Sequence, residues 1–343
     1  MKINAITNVL FAAQKRKNRN DLCQQPQKAI STNEYPIGDT VSFKGKIIPG
    51  INTARKFIDY GDIFKPEAYL VKENLHKAKS TLAKLMNANL SKTNLSKSVF
   101  QCANFTGANL TGTNFENSSL DGSKFVDVIT DDTNFKTTYL VSSIFDGKFG
   151  VRTNLEKANI IRADFKNADM DNIILSGAIY DYLTEFPDGF NPQDKKMFLY
   201  KEKGFNFTED MNLERMKLRY LTFEDANFRE AGLKRADFKG CNFTNCNMRN
   251  TDMTRVYAKE ATLDNCDLRS SELKQLNLNK AYLRNVDMGN CNLRGAILTW
   301  RNAQNVNLAG STYDQYTLFN SGFNPEAHGM IYKESSLAYY GIK

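Results

Sequence analysis

The sequence predicts an all-β solenoid built from square coils of about twenty residues each. A large apolar residue recurs at every fifth position through two long stretches, with a small residue two positions before it. A helix needs apolar spacings of three and four and a strand needs two, so a strict spacing of five fits neither. A turn in every five residues buries the large and the small residue and directs the other three outward, so four turns close one coil.

The first array occupies residues 83–180. Its large residues, here termed the centres of the repeats, are Leu85, Leu90, Leu95, Phe100, Phe105, Leu110, Phe115, Leu120, Phe125, Phe135, Leu140, Phe145, Leu155, Ile160, Phe165, Met170 and Leu175. Asn or Asp often comes directly before the centre, as at Asn89 and Asn104, and we expect this side chain at the corner of the coil.

A second array occupies residues 211–313, and its centres fall in a different register from those of the first. They are Leu213, Leu218, Phe223, Phe228, Leu233, Phe238, Phe243, Met248, Met253, Leu263, Leu268, Leu273, Leu278, Leu283, Met288, Leu293, Leu298, Leu308 and Tyr313. The sequence leaves open whether the two arrays form one continuous rod or hinge between residues 193 and 210.

A similar short segment follows each array: residues 180–192 recur in modified form as residues 313–325. Turn residues and aromatic side chains suit a segment that covers the open end of a solenoid and blocks edge pairing of strands. We therefore predict a cap and linker at 181–210, a C-terminal cap and tail at 314–343, and an internal duplication of array plus cap.

The runs Ala-Asn-Phe-Thr-Gly-Ala-Asn-Leu-Thr-Gly at 103–112 and Ala-Asp-Phe-Lys-Gly at 236–240 follow the pattern Ala-(Asp or Asn)-Leu-X-X. This pattern strongly resembles the pentapeptide-repeat family over about two thirds of the chain. The resemblance implies a right-handed quadrilateral β-helix, and the ending of each array is similar to that of family members of cyanobacterial type, which favours a bacterial-type protein.

The segment before the first array has no repeat. Residues 1–50 are basic and polar, and we predict that they are disordered. Residues 51–82 are predicted to form a helical N-terminal cap, since apolar residues at near-helical spacing follow Pro66; a partner-binding helix is the alternative. These apolar residues are Leu70, Val71, Leu75, Ala78 and Leu82.

The N-terminal charges do not suit a secretory signal, because the basic residues follow the apolar stretch of residues 3–13. The lack of acidic residues before Asp21 also fits a transit peptide or an interfacial anchor, but the apolar stretch is too short to span a membrane. We favour a basic tail.

Four of the six cysteines, Cys241, Cys246, Cys266 and Cys291, occupy the small inward position, which indicates packing. Cys246 and Cys266 are one coil apart, a geometry that bridges poorly. The chain has no Cys-X-X-Cys pair and only two histidines, so we expect no metal site and no Cys–His nucleophile. Buried free thiols favour a reducing compartment, and we expect a cytoplasmic protein.

The acidic residues give no catalytic pair. Asp131, Asp132, Asp164 and Asp169 are candidates only by proximity, and most acidic residues take outward positions that any soluble repeat fills with polar side chains. A square tube lacks the cleft that a general acid needs, and no Gly-rich phosphate loop is present. We expect no enzyme activity and no cofactor.

Basic charge is concentrated in two places: residues 1–82 hold 14 basic and 7 acidic groups, and the second array holds 16 and 11. The residue after the centre is repeatedly basic in the second array. A twenty-residue coil should stack these residues into two basic stripes, Arg229 with Arg249 and Arg269 on one wall, and Arg219 with Lys239 and Lys259 on another.

The stripes have two interpretations. They are a site for a polyanion, such as nucleic acid or an anionic membrane, or a solvated face neutralised by Glu224, Glu230 and Glu260. We favour the neutralised face, because outward Lys and Arg are what solubility requires.

The wall regularity breaks at Trp300 and Arg301. The period predicts Trp300 outward and Arg301 at a small inward position, with Tyr257 and Tyr282 nearby. We expect a binding epitope at this break. Tyr257 and Tyr282 would extend it as an aromatic patch, although distortion of a weak coil explains these two tyrosines equally well.

Three hypotheses for function follow. The first is a non-catalytic binding or scaffold solenoid that presents flat walls to an unidentified protein partner. The second is polyanion binding through the second array, and the third is an enzyme with convergent acids at the array junction. Some pentapeptide-repeat proteins resemble B-form DNA and bind DNA gyrase, but that mechanism needs an acidic surface, and the formal net charge of +8 opposes it.

The C-terminal tail carries Tyr332, Tyr339 and Tyr340. These residues either pack on the last coil or mediate a homodimer, and the sequence does not separate the two.

Overall fold

The computed structural model describes residues 64–207 and 213–336, in which the chain winds in all-β solenoid coils, about 10 turns in all. No α-helix occurs in these ranges. No helix there has the length and apolar character needed to cross a membrane. The chain divides into two compact units, Met1–Leu199 and Tyr200–Lys343.

Short parallel strands form the walls. They are β1 (Lys124–Val126), β2 (Ile144–Lys148), β3 (Thr153–Asn154), β4 (Asp164–Asp169), β5 (Ile173–Ile174), β6 (Ile179–Tyr180), β7 (Phe198–Leu199), β8 (Thr222–Glu224), β9 (Asn242–Thr244), β10 (Thr262–Asp264), β11 (Tyr282–Asp287), β12 (Ile297–Leu298), β13 (Asn302–Asn307), β14 (Thr312–Tyr313), β15 (Leu318–Phe319) and β16 (Ile331–Tyr332). A 3-10 turn covers Glu326–His328.

The strands align one coil apart, which confirms the twenty-residue coil. The largest sheet has the order β13-β11-β10-β9-β8 and lies in the second unit, and the first unit has a three-stranded sheet, β1-β2-β4. In the second unit Phe223 lies opposite Phe243, and Phe243 opposite Leu263. Most other walls pair through single bridges between residues twenty apart, such as Asn104 with Lys124.

The centres of the repeats fill the interior. In the first unit Phe105, Phe125, Phe145 and Phe165 form one column of stacked rings, with centroid distances of 4.9, 4.7 and 4.7 Å between successive pairs. Every ring in this column is almost completely buried. The column is a continuous apolar core, as the period predicts.

The small inward residues form hydrogen bonds as well as filling space in the core. Ser118 Oγ donates to the Leu95 carbonyl at 2.7 Å, and Cys241 Sγ donates to the Leu218 carbonyl at 2.8 Å. Both acceptors lie 23 residues earlier, so a hydroxyl or a thiol satisfies a carbonyl of the previous coil. Small polar side chains therefore remain compatible with a buried core.

The amide before each centre does not lie at the corner, as we had expected, but on the bridge of the wall. Asn104 pairs there with Lys124, and its Oδ1 accepts from the Thr106 N–H in the following turn at 3.0 Å. The next residue, Gly107, has a φ of 70°, and a Cβ there would collide with Asn87 Oδ1 of the previous coil. The corner therefore consists of the two residues after the centre, held in place by the amide.

The helical N-terminal cap predicted at 51–82 is wrong where the structure describes it. Residues 64–82 already form the repeat: Leu70 and Leu75 are buried, and Tyr69 pairs with Asn89 one coil later. Leu82 has a φ of 63° and an exposed side chain, as expected for a corner. Residues 1–50, predicted to be disordered, and residues 51–63 lie outside the described residues.

Both predicted caps have the same hydrogen-bond network, displaced by 133 residues. Asp181 Oδ1 accepts a 2.9 Å hydrogen bond from the backbone N–H of the residue 19 positions earlier, and Asp314 Oδ1 accepts the equivalent bond at 3.0 Å. Thr184 Oγ1 and Thr317 Oγ1 each donate to the carbonyl located 24 residues earlier at 3.2 Å. The Asp and Thr thus bind the end of each array to the preceding coil.

Aromatic rings follow this network in both caps. Phe186 stacks on Phe190 with a centroid distance of 4.9 Å, and Phe319 stacks on Phe323 at 5.0 Å. These rings lie next to the final core residues, where a solenoid must cover its open end. Tyr332 packs against the cap with a centroid distance of 5.5 Å to Tyr313, whereas Tyr339 and Tyr340 lie outside the described residues.

Candidate binding surface

The first basic stripe, Arg229, Arg249 and Arg269, follows one wall of the second unit. Backbone hydrogen bonds place the three residues one above another: the N–H after Arg229 donates to the Arg249 carbonyl at 3.0 Å, and the N–H after Arg249 donates to the Arg269 carbonyl at 3.1 Å. Their side chains are about half exposed. The coil therefore stacks these residues as the spacing predicts.

Each guanidinium of this stripe has a carboxylate within ion-pair distance. Arg229 lies 3.1 Å from Glu230, and Arg249 lies 3.9 Å from Asp267. Arg269 lies 2.6 Å from Asp267 and 3.5 Å from a second carboxylate, Asp287. The wall is thus a ladder of alternating charge, and the repulsion between stacked arginines is compensated.

The second stripe is less accessible. Arg219 lies 2.6 Å from Asp237, and its side chain is about one quarter exposed. Lys239 and Lys259 lie 3.9 and 3.8 Å from Glu260, and only 13% and 10% of their side chains are exposed. These lysines cannot present a broad positive face to a polyanion.

Trp300 and Arg301 exchange the places that the period predicts for them. Trp300 is 9% exposed, and its ring packs edge-on against Phe323 of the cap with a centroid distance of 5.6 Å. Arg301 is exposed. The regular turn with a positive φ is absent at Trp300, so the chain can direct the indole inward and the guanidinium outward.

Arg301 forms an exposed pair with Tyr282. Its Nη1 donates to the tyrosine hydroxyl at 2.7 Å, and its guanidinium carbon lies 5.5 Å from the ring centroid. Tyr282 begins β11, which lies between β13 and β10 in the five-stranded sheet, and its side chain is well exposed. An aromatic ring on β11 and a cation directly before β13 therefore lie side by side, and tyrosine and arginine are residue types enriched at the energetic centres of protein interfaces.

Sequence comparisons identify the family. A family model described as "Pentapeptide repeat region" matches residues 236–318, and one described as "Pentapeptide repeats (8 copies)" matches residues 88–127, 98–136, 151–177 and 210–245. Together they span more than half of the chain. The chain belongs to the pentapeptide-repeat family. No curated protein sequence matches it.

Several solved pentapeptide-repeat structures are similar to the chain. HetL, involved in heterocyst differentiation regulation in the cyanobacterium Nostoc, is 18% identical over 76% of this chain and 91% of that chain, with a TM-score of 0.22. QnrB1, a plasmid-mediated fluoroquinolone resistance protein, is 17% identical over 72% and 92%, with a TM-score of 0.25. Rfr23 from the cyanobacterium Cyanothece is 20% identical over 34% and 86%, with a TM-score of 0.16.

The acidic candidates of this pentapeptide-repeat protein have structural partners. Asp132 pairs with Arg152, which holds the pKa of that carboxyl below its ordinary value through a hydrogen bond. Asp131 Oδ1 accepts from the Val151 N–H at 2.9 Å, and Asp164 Oδ1 accepts from the Lys166 N–H at 3.1 Å. Asp169 supports its own turn in the same way. Among the described residues no group of His, Cys, Asp and Glu could hold a metal ion.

The four inward cysteines of the second unit are free and buried. Burial raises the pKa of the Cys241 thiol, and it raises that of Cys291 to about 12. Because the thiolate is the reactive form, we expect native Cys241 and Cys291 to resist alkylation by iodoacetamide at pH 7. Both should react after denaturation, as measured by peptide mass spectrometry; rapid alkylation of either thiol in the folded protein would contradict their place in the core.

The charge ladder predicts a pH effect. The hydrogen bond from Arg269 holds the pKa of Asp267 below its ordinary value. This pair therefore stabilises the fold fully above the unfolded pKa of about 4, and the contribution is lost as the pH falls through the lower folded pKa. We expect Arg269→Gln to raise the pKa of Asp267 in a carboxyl NMR titration. Arg229→Gln is the matched control and should leave the pKa of Asp267 unchanged. An equal change of this pKa in both variants would show that the hydrogen bond from Arg269 is not what lowers it.

Proposed function

We propose that this chain is a non-catalytic binding solenoid that presents a wall of its second unit to a protein partner. Pentapeptide-repeat solenoids are generally non-catalytic, and family members act as binding solenoids. The observation that carries the proposal is the exposed pair of Tyr282 and Arg301 on the five-stranded sheet. A partner can bind this pair without ordering a mobile loop, so the association costs little conformational entropy.

The surface around the pair fits a protein better than a polyanion. Outward residues of the same sheet are mostly uncharged and polar, such as Asn242, Thr244 and Thr262. Arg284, the next outward residue after Tyr282 on the same strand, is itself hydrogen-bonded to Asp264 at 2.8 Å. An aromatic residue and an arginine surrounded by polar side chains that pair with one another are typical of a non-obligate protein interface.

A photo-crosslinking experiment tests the proposal. Tyr282 is replaced by benzoylphenylalanine in the full chain, and the protein is irradiated in cells of its host. We expect a discrete protein adduct, because the group lies where the partner would bind. The adduct should be lost when Arg301→Ala removes the neighbouring cation while the fold is retained.

The matched control places the same crosslinker at Tyr220, another exposed tyrosine of the second unit that lies at a corner. No adduct, or the same adduct from both positions, would overturn the assignment of the surface. Nucleic acid recovered in the adduct in place of protein would overturn the class of partner.

Polyanion binding is the second candidate, favoured by the half-exposed arginines of the first stripe. Its test is the affinity for duplex DNA, RNA and heparin across a salt series, since binding through phosphates weakens steeply with salt. We expect weak binding that the triple variant Arg229→Glu, Arg249→Glu, Arg269→Glu does not change. Tight, salt-sensitive binding that the triple variant loses would reverse our choice between the two functions.

A further inference from the structure

The first two described coils of the first unit are strongly basic. Residues 64–100 contain two glutamates, Glu67 and Glu73, and no aspartate or arginine. Their seven lysines are all exposed: Lys65, Lys72, Lys77, Lys79, Lys84, Lys92 and Lys97. The solenoid therefore carries basic charge at these coils as well as on the two stripes of the second unit.

Four of these lysines lie at the corners of one wall. Lys72 and Lys77 have φ values of 61° and 62°, and Lys92 and Lys97, one coil later, have values of 60° and 57°. Lys72 and Lys77 each donate the backbone N–H to the carbonyl directly before their counterpart in the next coil, at 2.9 and 3.0 Å. Adjacent coils are about 4.8 Å apart, and the three extended residues between two corners span roughly 10 Å. The four side chains thus frame a rectangular surface, here termed the lysine face.

Three lysines of this face have no counter-charge. Among the residues that the structure describes, no carboxylate lies within ion-pair distance of the ammonium groups of Lys72, Lys92 or Lys97. The arginines of the first stripe differ, because each of them has a carboxylate partner. Glu73 lies on the same coil, but it takes a small inward position and is half-buried. Since stacked cations without counter-charges repel one another, an anionic ligand would stabilise this face more than it would stabilise the stripe.

The wall between the lysines presents hydrogen-bonding groups. Asn94 Nδ2 donates to Asn74 Oδ1 of the previous coil at 3.0 Å. Ser96 Oγ lies 2.8 Å from His76 Nδ1 and donates to Asn94 Oδ1 at 2.7 Å. All four side chains are at least partly exposed, and none of them is apolar. A surface that binds a membrane needs apolar groups beside its basic residues, so this wall suits a water-soluble anion better than a lipid bilayer.

An exposed aromatic ring lies beside the lysine face. Tyr69 stands three residues before Lys72, on the adjoining wall of the first coil, and 77% of this tyrosine is exposed. Basic side chains that follow the phosphates, together with aromatic rings on which bases stack, are the two elements with which proteins bind single-stranded nucleic acid. A duplex does not use such a ring, because its bases already stack on one another.

We infer that the lysine face and Tyr69 bind single-stranded nucleic acid through its phosphates and one stacked base. The inference does not rest on the proposed protein partner, because it uses residues of the first unit and none of the second. It also gives a source for the weak polyanion binding that substitution of the first stripe should not change, since the charges of that stripe are already paired.

The first test measures the contribution of the lysines on the full chain. Fluorescence anisotropy follows the binding of a labelled oligothymidylate of about 16 nucleotides, long enough to cover one such site. We expect the triple variant Lys72→Gln, Lys92→Gln, Lys97→Gln to bind at least about tenfold more weakly, and its slope of log affinity against log salt to be smaller by about 2, because each phosphate contact to a single strand contributes about 0.7. The matched control replaces the three arginines of the first stripe by glutamine and should bind like the wild type.

The second test asks whether a base stacks on the ring. Tyr69→Ala should weaken binding of the oligothymidylate about tenfold, an effect of the size that stacking on one base supplies. Binding of heparin, which has anionic groups and no bases, should not change in this variant. All substituted side chains of both variants are exposed, and circular dichroism checks that the fold is retained.

The contradicting outcomes are distinct for each part of the inference. No binding of the oligothymidylate by the wild type, or equal weakening by the lysine variant and the arginine control, would overturn the lysine face as the site. An unchanged affinity for the oligothymidylate in Tyr69→Ala, or an equal loss for heparin, would overturn the single-stranded ligand, as would tighter binding of a duplex of the same length. Tighter binding to vesicles of phosphatidylcholine and phosphatidylserine would assign the face to a membrane, against the inference.

Discussion

Phe125→Ala should be among the most destabilising single substitutions in the first unit. Phe125 is fully buried and stacks between Phe105 at 4.9 Å and Phe145 at 4.7 Å, and its edge contacts Phe135 at 5.4 Å. Truncation removes the burial of a whole ring and leaves a cavity that a column of stacked coils cannot close. We expect a loss of about 3–5 kcal/mol in the free energy of unfolding.

Phe125→Leu is the matched variant. It retains most of the buried volume and removes the stacking, so we expect it to cost about 1 kcal/mol. Unfolding in urea is followed by far-ultraviolet circular dichroism, and Trp300 fluorescence gives a separate readout of the second unit. Equal midpoints for wild type and Phe125→Ala would mean that the column is not packed as described.

The spacing of five predicts the fold because it restricts which chain geometry can bury the apolar residues. Leu and Phe at every fifth position leave one way to bury all of them, and the coil length then determines which residues stack. The stack of Arg229, Arg249 and Arg269 follows from the same counting. The pairing with Asp267 and Asp287 was missed, although both acids stand directly before centres of the same wall, in the same coil as the paired arginine or one coil later.

The spacing of five led to wrong predictions where a coil departs from the repeat pattern. Residues 64–82 contain Ser80 at a centre and Glu73 at a small position, so the apolar residues alone resembled a helix. Trp300 was predicted outward because the count places it in a corner. The spacing within the repeats does not show that Phe323, which lies in the cap, provides an apolar neighbour for the indole.

Asp314→Ala is expected to produce the largest effect in the second cap. Asp314 is 2% exposed, and its Oδ1 accepts the N–H of Gly295 at 3.0 Å, the N–H of Tyr316 at 3.1 Å and the Oγ1 hydroxyl of Thr317 at 3.1 Å. Alanine removes the charged acceptor that these three donors share, in a place that water does not reach. Since a hydrogen bond to a charged group contributes about 1.5–3 kcal/mol, we expect a loss of about 3 kcal/mol or more.

The first cap provides the control for this prediction, because Asp181 makes equivalent hydrogen bonds and is less deeply buried. Trp300 lies against the second cap, where Asn320 Nδ2 donates to its carbonyl at 3.0 Å, so its fluorescence reports opening of that cap. Asp314→Ala should lower the urea midpoint measured by Trp300 fluorescence, and Asp181→Ala should lower the midpoint measured by circular dichroism. If Asp314→Ala left the fluorescence midpoint unchanged, the buried carboxylate would not be what holds the cap to the last coil.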